Sequence, residues 1–203
     1  MPREAKRIIV ISDTHLGREG PNTATAEMLR PLWRDADQLV INGDVADLQD
    51  ARRRAKAARQ VLRLQDLCER DNVELTLLSG NHDAFLTDRR HLVLRDGQIF
   101  ITHGDVLHPA ISPWHARASS LRRFNAEALR KLEPEERKAF AAQLAATQYA
   151  SGQAAVDPLA ENKRGGALGA AESSITRWRQ AAAMLWHWHT LPRRAAELMS
   201  KHA

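Results

Sequence analysis

Four short stretches of the chain carry carboxylate, imidazole and amide side chains directly after apolar segments. The first, Asp13-Thr14-His15, follows the apolar run of residues 7–12. Three similar stretches come later in the chain: Gly43-Asp44-Val45-Ala46-Asp47, Gly80-Asn81-His82-Asp83 and His103-Gly104-Asp105. Nitrogen and oxygen donors without a thiolate suit Mn, Fe, Zn or Ni rather than copper(I) or an iron–sulfur cluster. The stretches predict one polar, metal-binding centre.

The apolar segments before these stretches alternate with segments of helical periodicity. Three segments have the pattern of buried strands: residues 7–12, 37–42 and 73–78. Between them, apolar residues at spacings of three and four predict two helices, over residues 24–34 and 49–70. This β-α-β-α-β order predicts an α/β fold with a mainly parallel sheet, whose functional groups lie at the carboxyl ends of the strands.

A hairpin is predicted after the third strand. Asp96-Gly97 separates two short apolar runs, residues 91–95 and 98–102. Asp-Gly is a strong hairpin signal because both turn positions favour positive φ. The second strand of this hairpin ends at His103, so we expect the hairpin to deliver His103 to the metal-binding centre.

The segment after residue 108 is predicted to be entirely helical. Its predicted elements are a helix through residues 121–132, a helix opened by Pro134 and running to residue 149, a mobile loop over 151–170, a helix over 172–190 and a last helix opened by Pro192. We therefore divide the chain into a core, residues 1–108, and a helical cap or insertion, residues 109–203.

Basic and aromatic residues of this insertion leave two interpretations open. Four arginines either meet a phosphate or an anionic surface, or form a solvated helix face: Arg117, Arg122, Arg123 and Arg130. Four tryptophans either line an apolar groove or, as we expect, pack in the core: Trp114, Trp178, Trp186 and Trp188.

Composition limits the partners and the compartment. A net charge of +5 and a pI near 9.9 favour anionic partners, namely phosphate esters, nucleic acid or an anionic membrane face. No strand combines aromatic and basic residues, so we expect no nucleic acid, whereas peripheral membrane contact stays open.

Cys68 has no second cysteine with which to form an intrachain disulfide or a thiolate zinc site. No signal peptide is visible, so we expect a cytoplasmic protein.

Together and in this order, the four stretches resemble the calcineurin-like metallophosphoesterase superfamily over residues 7–108. The resemblance implies a β-sandwich of two packed sheets flanked by helices, with a helical insertion that caps the metals. It implies a metal-dependent hydrolase of phosphomonoesters or phosphodiesters. In such enzymes two metal ions about 3.5–4 Å apart clamp the phosphoryl group, and a hydroxide that they activate attacks phosphorus in line.

The resemblance also implies a ligand set. Asp13 and His15 hold the first metal, Asn81 and His103 hold the second, and Asp44 bridges both because a carboxylate has two oxygens to share. Manganese is the first expectation for both metals, with iron, zinc and nickel as alternatives.

Three further residues are implied around these ligands. His82 protonates the leaving oxygen or stabilises the charged transition state. Asp47 and Asp83 orient His82 or a ligand, although each also has an alternative interpretation as a loop cap or solvated turn residue.

One family feature is absent from the sequence. The family pattern closes with a strand followed by Gly-His-x-His, and the only His-x-His here is His187-Trp188-His189, inside a helical pattern. On a helix, positions two apart point about 200° away from each other, so these histidines do not converge on one centre. We therefore expect closing strands and two metal ligands to be missing from this chain, which leaves the sandwich incomplete at its C-terminal end.

Three alternatives to a general phosphoesterase stay open. The missing histidines allow a non-catalytic scaffold that binds a partner. The insertion and the His-Gly-Asp stretch are similar to the UDP-diacylglucosamine pyrophosphohydrolases of lipid A synthesis, although those enzymes have an arginine at the position of His82. The superfamily also includes nucleases. Neither the substrate nor the oligomeric state follows from the sequence.

Overall fold

The computed structural model describes residues 6–20, 24–111, 113, 117–156 and 169–200, with the side chains of residues 169–180, 183 and 199 outside the description. The chain divides into two compact units, Met1–His103 and Gly104–Ala203. The first unit contains the strands, and the second is helical in its described residues.

The first unit is built on a three-stranded parallel sheet. Its strands are β1 (Ile8–Ile11), β2 (Gln38–Asn42) and β3 (Glu74–Leu78), with β2 in the centre. β2 pairs with both neighbours in register, and its residues from Gln38 to Ile41 are all buried. A strand covered on both faces needs an almost continuous apolar run, which is the pattern that the sequence shows here. The prediction of a mixed α/β fold with a parallel sheet is confirmed.

The predicted hairpin is also present. β4 (His91–Leu94) pairs antiparallel with β5 (Ile99–Thr102). The backbone N–H of Gln98 donates to the carbonyl oxygen of Arg95 (3.1 Å), and Asp96 and Gly97 between them both have positive φ, so Asp-Gly occupies the two central positions of the turn as predicted. The structure therefore contains parallel and antiparallel sheets, whereas the two-sheet sandwich stays a prediction.

The helices of the first unit are shorter than the periodicity predicts. α1 (Ala26–Leu29) gives way to a 3-10 turn over Arg30–Leu32, because Pro31 cannot donate a backbone hydrogen bond. α2 (Arg54–Arg70) starts five residues later than predicted, and Gln49 instead donates to the loop after the third strand, from its backbone N–H to the carbonyl oxygen of His82 (3.4 Å) and from its side chain to that of Asn81 (2.8 Å). The contacts of Gln49 tie the segment before α2 to the loop that follows β3.

The core of the first unit lies where α1 and α2 pack on the sheet. α2 buries one face, made of Ala57, Leu64, Leu67 and Cys68. Trp33, directly after the 3-10 turn, is fully buried in the same cluster as Leu39 and Ile41 of β2. The core thus holds β2 in place, and the ends of the strands emerge from it as loops.

The described residues of the second unit form three α-helices: α3 (Ala118–Arg130), α4 (Phe140–Val156) and α5 (Gly169–Ser200). α3 and α4 pack together through Leu121, Ala150 and Ala154. No helix among the described residues is both long enough and apolar enough to cross a bilayer.

Three sequence predictions for the second unit are wrong. The segment after Pro134 forms a 3-10 turn (Glu136–Lys138), and the extended backbone of Ala139 (ψ 138°) separates this turn from α4. Residues 151–156 continue α4 rather than forming a loop, while residues 157–168 lie outside the description. Pro192 lies inside α5 and does not start a new helix.

The tryptophan prediction is wrong for the two side chains that the structure describes. Trp186 and Trp188 on α5 are 66% and 63% exposed rather than packed in a core. Leu185, directly before Trp186, is also exposed, because a single helix cannot bury residues that point in all directions around its axis. Trp114 and the side chain of Trp178 lie outside the described residues.

Candidate metal centre

The loops after β1 and β2 run side by side. The backbone N–H of Asp13 donates to the carbonyl oxygen of Gly43 (3.2 Å), and that of His15 donates to the carbonyl oxygen of Asp44 (2.9 Å). Asp13, His15 and Asp44 all have positive φ, between 43° and 54°. This conformation is uncommon for residues other than glycine and is concentrated at functional sites. The backbone therefore accepts strain to place these three side chains.

Asp44 is the most enclosed carboxylate of this group, with 3% of its surface exposed. Its Oδ1 accepts from the backbone N–H of His82 (2.8 Å). Its Oδ2 lies 3.9 Å from Nε2 of His15 and 3.5 Å from Nε2 of His103. Burial raises the pKa of Asp44, but His103 and His82 more than compensate and lower it below its ordinary value. An ionised oxygen thus lies between two imidazole rings.

The tautomers of these two histidines follow from their other nitrogens. Nδ1 of His103 lies 2.9 Å from the carbonyl oxygen of Asn42, which can only accept, so Nδ1 carries the proton. Nδ1 of His15 lies 2.9 Å from Oδ1 of Asp47 and donates in the same way. In the neutral rings both Nε2 lone pairs then lie on the side of Asp44. Lone pairs that face a carboxylate oxygen are satisfied only by a proton or by a cation between them.

Asp13 completes a group of potential metal ligands. Ligand atoms of Asp13, His15 and Asp44 all lie within 4.8 Å of one another. Asp13 is exposed and Asp44 buried, so one side of the group is open to solvent. Asn81 is half-buried and lies next to His82, whose backbone N–H binds Asp44. The structure thus brings the predicted ligands of the first unit to one region, while their roles as ligands stay predictions.

Asp47 forms a second group with His15 and His82, again with ligand atoms within 4.8 Å. Its Oδ1 lies 2.9 Å from Nδ1 of His15 and 3.2 Å from Nδ1 of His82. Arg18 occupies the same carboxylate, since its Nε donates to Oδ2 at 2.8 Å. A divalent cation here would lie against the guanidinium of Arg18 and would displace donors that already satisfy Asp47. We therefore favour the group around Asp44 as the metal site.

Arg18 is a site residue that sequence reasoning missed. Its Nη2 lies 3.2 Å from Oδ1 of Asp47, so the guanidinium forks over both carboxylate oxygens, and it also approaches Nδ1 of His15 at 3.2 Å. The only feature of the sequence that could have indicated this role is the position of Arg18 three residues after His15. In a chain with 30 lysines and arginines, that spacing does not distinguish it from a surface residue.

The surroundings of Asp47 and His82 favour an ion pair. Burial raises the pKa of Asp47, but hydrogen bonds from His15, His82 and Arg18 outweigh burial and hold it well below its usual range. Burial lowers the pKa of His82, but Asp47 and Asp44 outweigh that effect and raise it above its ordinary value. The rings of His82 and His15 meet edge to face, with centroids 4.9 Å apart. His82 is thus held ready to carry a proton.

Asp83 connects two loops of the centre. Its side chain accepts from the backbone N–H of Gly80 (2.7 Å), of Val45 (2.6 Å) and of Ala46 (3.4 Å). Burial raises its pKa and the charge of Asp44 adds to this effect, while the three backbone donors oppose it. Asp83 therefore ties the loop after β3 to the loop after β2.

Outside the first unit, His187 and His189 lie on α5, as the helical pattern predicts. His187 packs edge to face against His108, with ring centroids 5.6 Å apart. The ring of His189 lies 6.3 Å from that of Trp186.

Comparison with known proteins identifies one related family. The sequence model of the calcineurin-like phosphoesterases matches residues 6–143, which is more than half of the chain. The match begins before β1 and extends into α4, beyond the four stretches that carry potential ligands. Neither a search of curated proteins nor a search of solved structures found a match.

Gly43 offers a test of how tightly the centre is packed. Gly43 and Gly97 both have positive φ, 79° and 91°. A Cβ at Gly43 would overlap the ring of His103, whereas a Cβ at Gly97 would meet no atom within 4 Å. We expect Gly43→Ala to lower the free energy of unfolding by about 2–4 kcal/mol, since crowding adds to backbone strain, and Gly97→Ala by about 1 kcal/mol. Urea unfolding measures both, and equal losses would contradict the packing of His103 on Gly43.

Asp47 makes a prediction about acid stability. A carboxyl group whose pKa is lowered on folding stabilises the fold above its unfolded pKa, 3.8 here, and this stabilisation declines as the pH falls below that value. Between pH 5 and pH 3 the wild type should therefore lose about 1 kcal/mol more than Asp47→Asn. Urea unfolding of both metal-free proteins at the two pH values measures the difference. An identical pH dependence would show that Asp47 is not held ionised by His15, His82 and Arg18.

Proposed function

The chain belongs to the calcineurin-like phosphoesterase family, and from that premise we propose that it hydrolyses phosphomonoesters or phosphodiesters with divalent metal ions held around Asp44. One observation carries the proposal. A buried, ionised carboxylate oxygen faces Nε2 of two histidines, and the other nitrogen of each ring already has a partner. This arrangement supports a cation site rather than a hydrogen-bonded core.

The residues around Asp44 fit a pair of metal ions. Asp13 and His15 would hold one ion, Asn81 and His103 the other, and Asp44 would share its carboxylate between them. The donor set is oxygen and imidazole nitrogen, which suits manganese first and iron, zinc or nickel as alternatives. When bound, such ions stabilise charge on phosphoryl oxygens and make a bound water more acidic.

His82 is the residue that we propose to donate a proton. When the ester P–O bond breaks, the departing oxygen takes up this proton and leaves as an alcohol. Asp47 holds Nδ1 of His82, so Nε2 is the nitrogen that donates. The raised pKa of His82 keeps the ring protonated at higher pH than an ordinary histidine, which suits a general acid.

Asp47 and Arg18 are proposed to position His82 and His15 rather than to contact substrate. Asp47 accepts from both rings, so it fixes the orientation of the proton donor and of a metal ligand together. Arg18 binds both oxygens of Asp47 and so limits the rotation of its carboxylate. Rigid support of this kind keeps a ligand and a proton donor in register with one substrate.

Asp44→Asn tests the site directly. We expect the substitution to lower kcat/KM at least a hundredfold in Mn²⁺, because an amide carries no charge and offers one oxygen instead of two. The measurement uses the full chain with an aryl phosphate monoester and, separately, an aryl phosphodiester. The matched control is Asp66→Asn, which removes an equal charge from the exposed side of α2 and should leave turnover unchanged.

Two results would contradict the proposal. One is turnover in Asp44→Asn that equals the wild type. The other is full activity of the wild type after exhaustive chelation, since hydrolysis would then not depend on metal ions. Activity on the monoester alone or on the diester alone assigns the class of phosphate ester.

A further inference from the structure

The helical unit contains a cluster of histidine and arginine residues. His108 follows the 3-10 turn Asp105–Leu107, and His187 lies on α5. The two rings meet edge to face with centroids 5.6 Å apart. Two histidines from distant parts of the sequence thus meet within this unit, and no role in the metal centre explains the contact.

The hydrogen bonding of His108 fixes its tautomer. Nδ1 of His108 accepts from the backbone N–H of Ala110 at 3.0 Å. In the neutral ring the proton must therefore be on Nε2, which is a donor. His108 is half-buried, so this donor is partly screened from solvent.

Two arginines act on these rings, Arg194 on both of them and Arg122 on His108. Arg194 lies seven residues after His187, on the same face of α5, and Arg122 lies on α3. Burial, together with the positive charges of Arg194, Arg122 and His187, lowers the pKa of His108 to about 4. Burial and Arg194 likewise lower the pKa of His187. Three elements thus direct positive charge at one place.

Arg194 carries a donor that the described residues of the unit leave unsatisfied. Nη1 of Arg194 is buried without a hydrogen-bond acceptor there. Within the same described residues, no carboxylate forms an ion pair with Arg122 or Arg194. A buried guanidinium N–H without an acceptor is unfavourable, so an anion at this place would satisfy it.

We propose that His108, His187, Arg122 and Arg194 form a binding site for a phosphate group, built from residues other than the predicted metal ligands. Each arginine offers N–H donors in a fixed fork, and Nε2 of His108 offers another from a different element. Donors that come from three elements suit the several oxygens of a tetrahedral phosphate better than the two coplanar oxygens of a carboxylate. The phosphate belongs either to a small soluble molecule or to a lipid headgroup.

The site is tested by titrating inorganic phosphate into the full chain, at constant ionic strength and with a chelator present so that the metal centre holds no divalent ion. The imidazole ¹H–¹⁵N resonances of His108 and His187 report binding at the site itself. We expect both rings to shift saturably. Shifts that rise linearly without saturation would overturn the proposal.

Two substitutions and a matched control give the specificity. Arg194→Gln should weaken phosphate binding at least tenfold, whereas Arg193→Gln removes the same charge from an exposed neighbour on α5 and should change it less than twofold. Arg122→Gln on α3 provides a second variant if Arg194→Gln does not fold, and it should also weaken binding. Equal effects of the substitutions at Arg193 and at the site arginines would show only general attraction to a basic surface and would overturn the proposal.

The source of the phosphate is decided by two further titrations. Glycerol 3-phosphate represents a small soluble ester, and vesicles of phosphatidic acid in phosphatidylcholine represent a lipid headgroup. Suppose that either probe binds the wild type and Arg193→Gln but does not bind Arg194→Gln. This result supports the site and identifies its ligand class. Failure of both probes to bind would overturn the assignment to a phosphate ester.

Discussion

The arrangement of the metal centre depends on one buried charge. Asp44 is almost fully enclosed, yet its pKa is held below the ordinary value, so the carboxylate stays ionised. One oxygen is satisfied by a backbone N–H, and the other faces two imidazole nitrogens. An ionised carboxylate is costly to bury unless cations or donors surround it. The loops around Asp44 meet that requirement with polar groups from the ends of separate strands, and this requirement explains their strained backbone.

Much of this centre could be predicted from the sequence, because its residues lie directly after the predicted strands. Parallel strands place their carboxyl ends at one edge of a sheet, so Asp13, His15 and Asp44 were expected to lie together. Arg18 was not expected, because its role depends on the side-chain conformation that places its guanidinium over Asp47, which no spacing encodes. The contacts of Asp83 were equally hidden, since its partners are backbone N–H groups brought near by the turn after β3.

The secondary structure could be predicted from the sequence where the apolar pattern matches the buried positions. It was predicted less well where the outcome depends on single residues. The strands and the Asp-Gly hairpin follow directly from apolar runs and turn chemistry. Pro192 was expected to start a helix, yet α5 continues through it, because one missing N–H removes a single hydrogen bond from a helix of 32 residues. The exposure of Trp186 and Trp188 was missed because aromatic content indicates burial only when a partner surface is available.

Anomalous diffraction from crystals of the full chain grown with Mn²⁺ tests the central claim most directly. The account predicts two separate manganese peaks that share the carboxylate of Asp44. One lies beside Asp13 and His15, and the other beside Asn81 and His103. A single peak bound by His15, Asp47 and His82, with Asp44 unliganded, would contradict it. The metal would then bind at Asp47, in place of the contact with Arg18, and not at Asp44. Absence of any peak at saturating Mn²⁺ would contradict it equally.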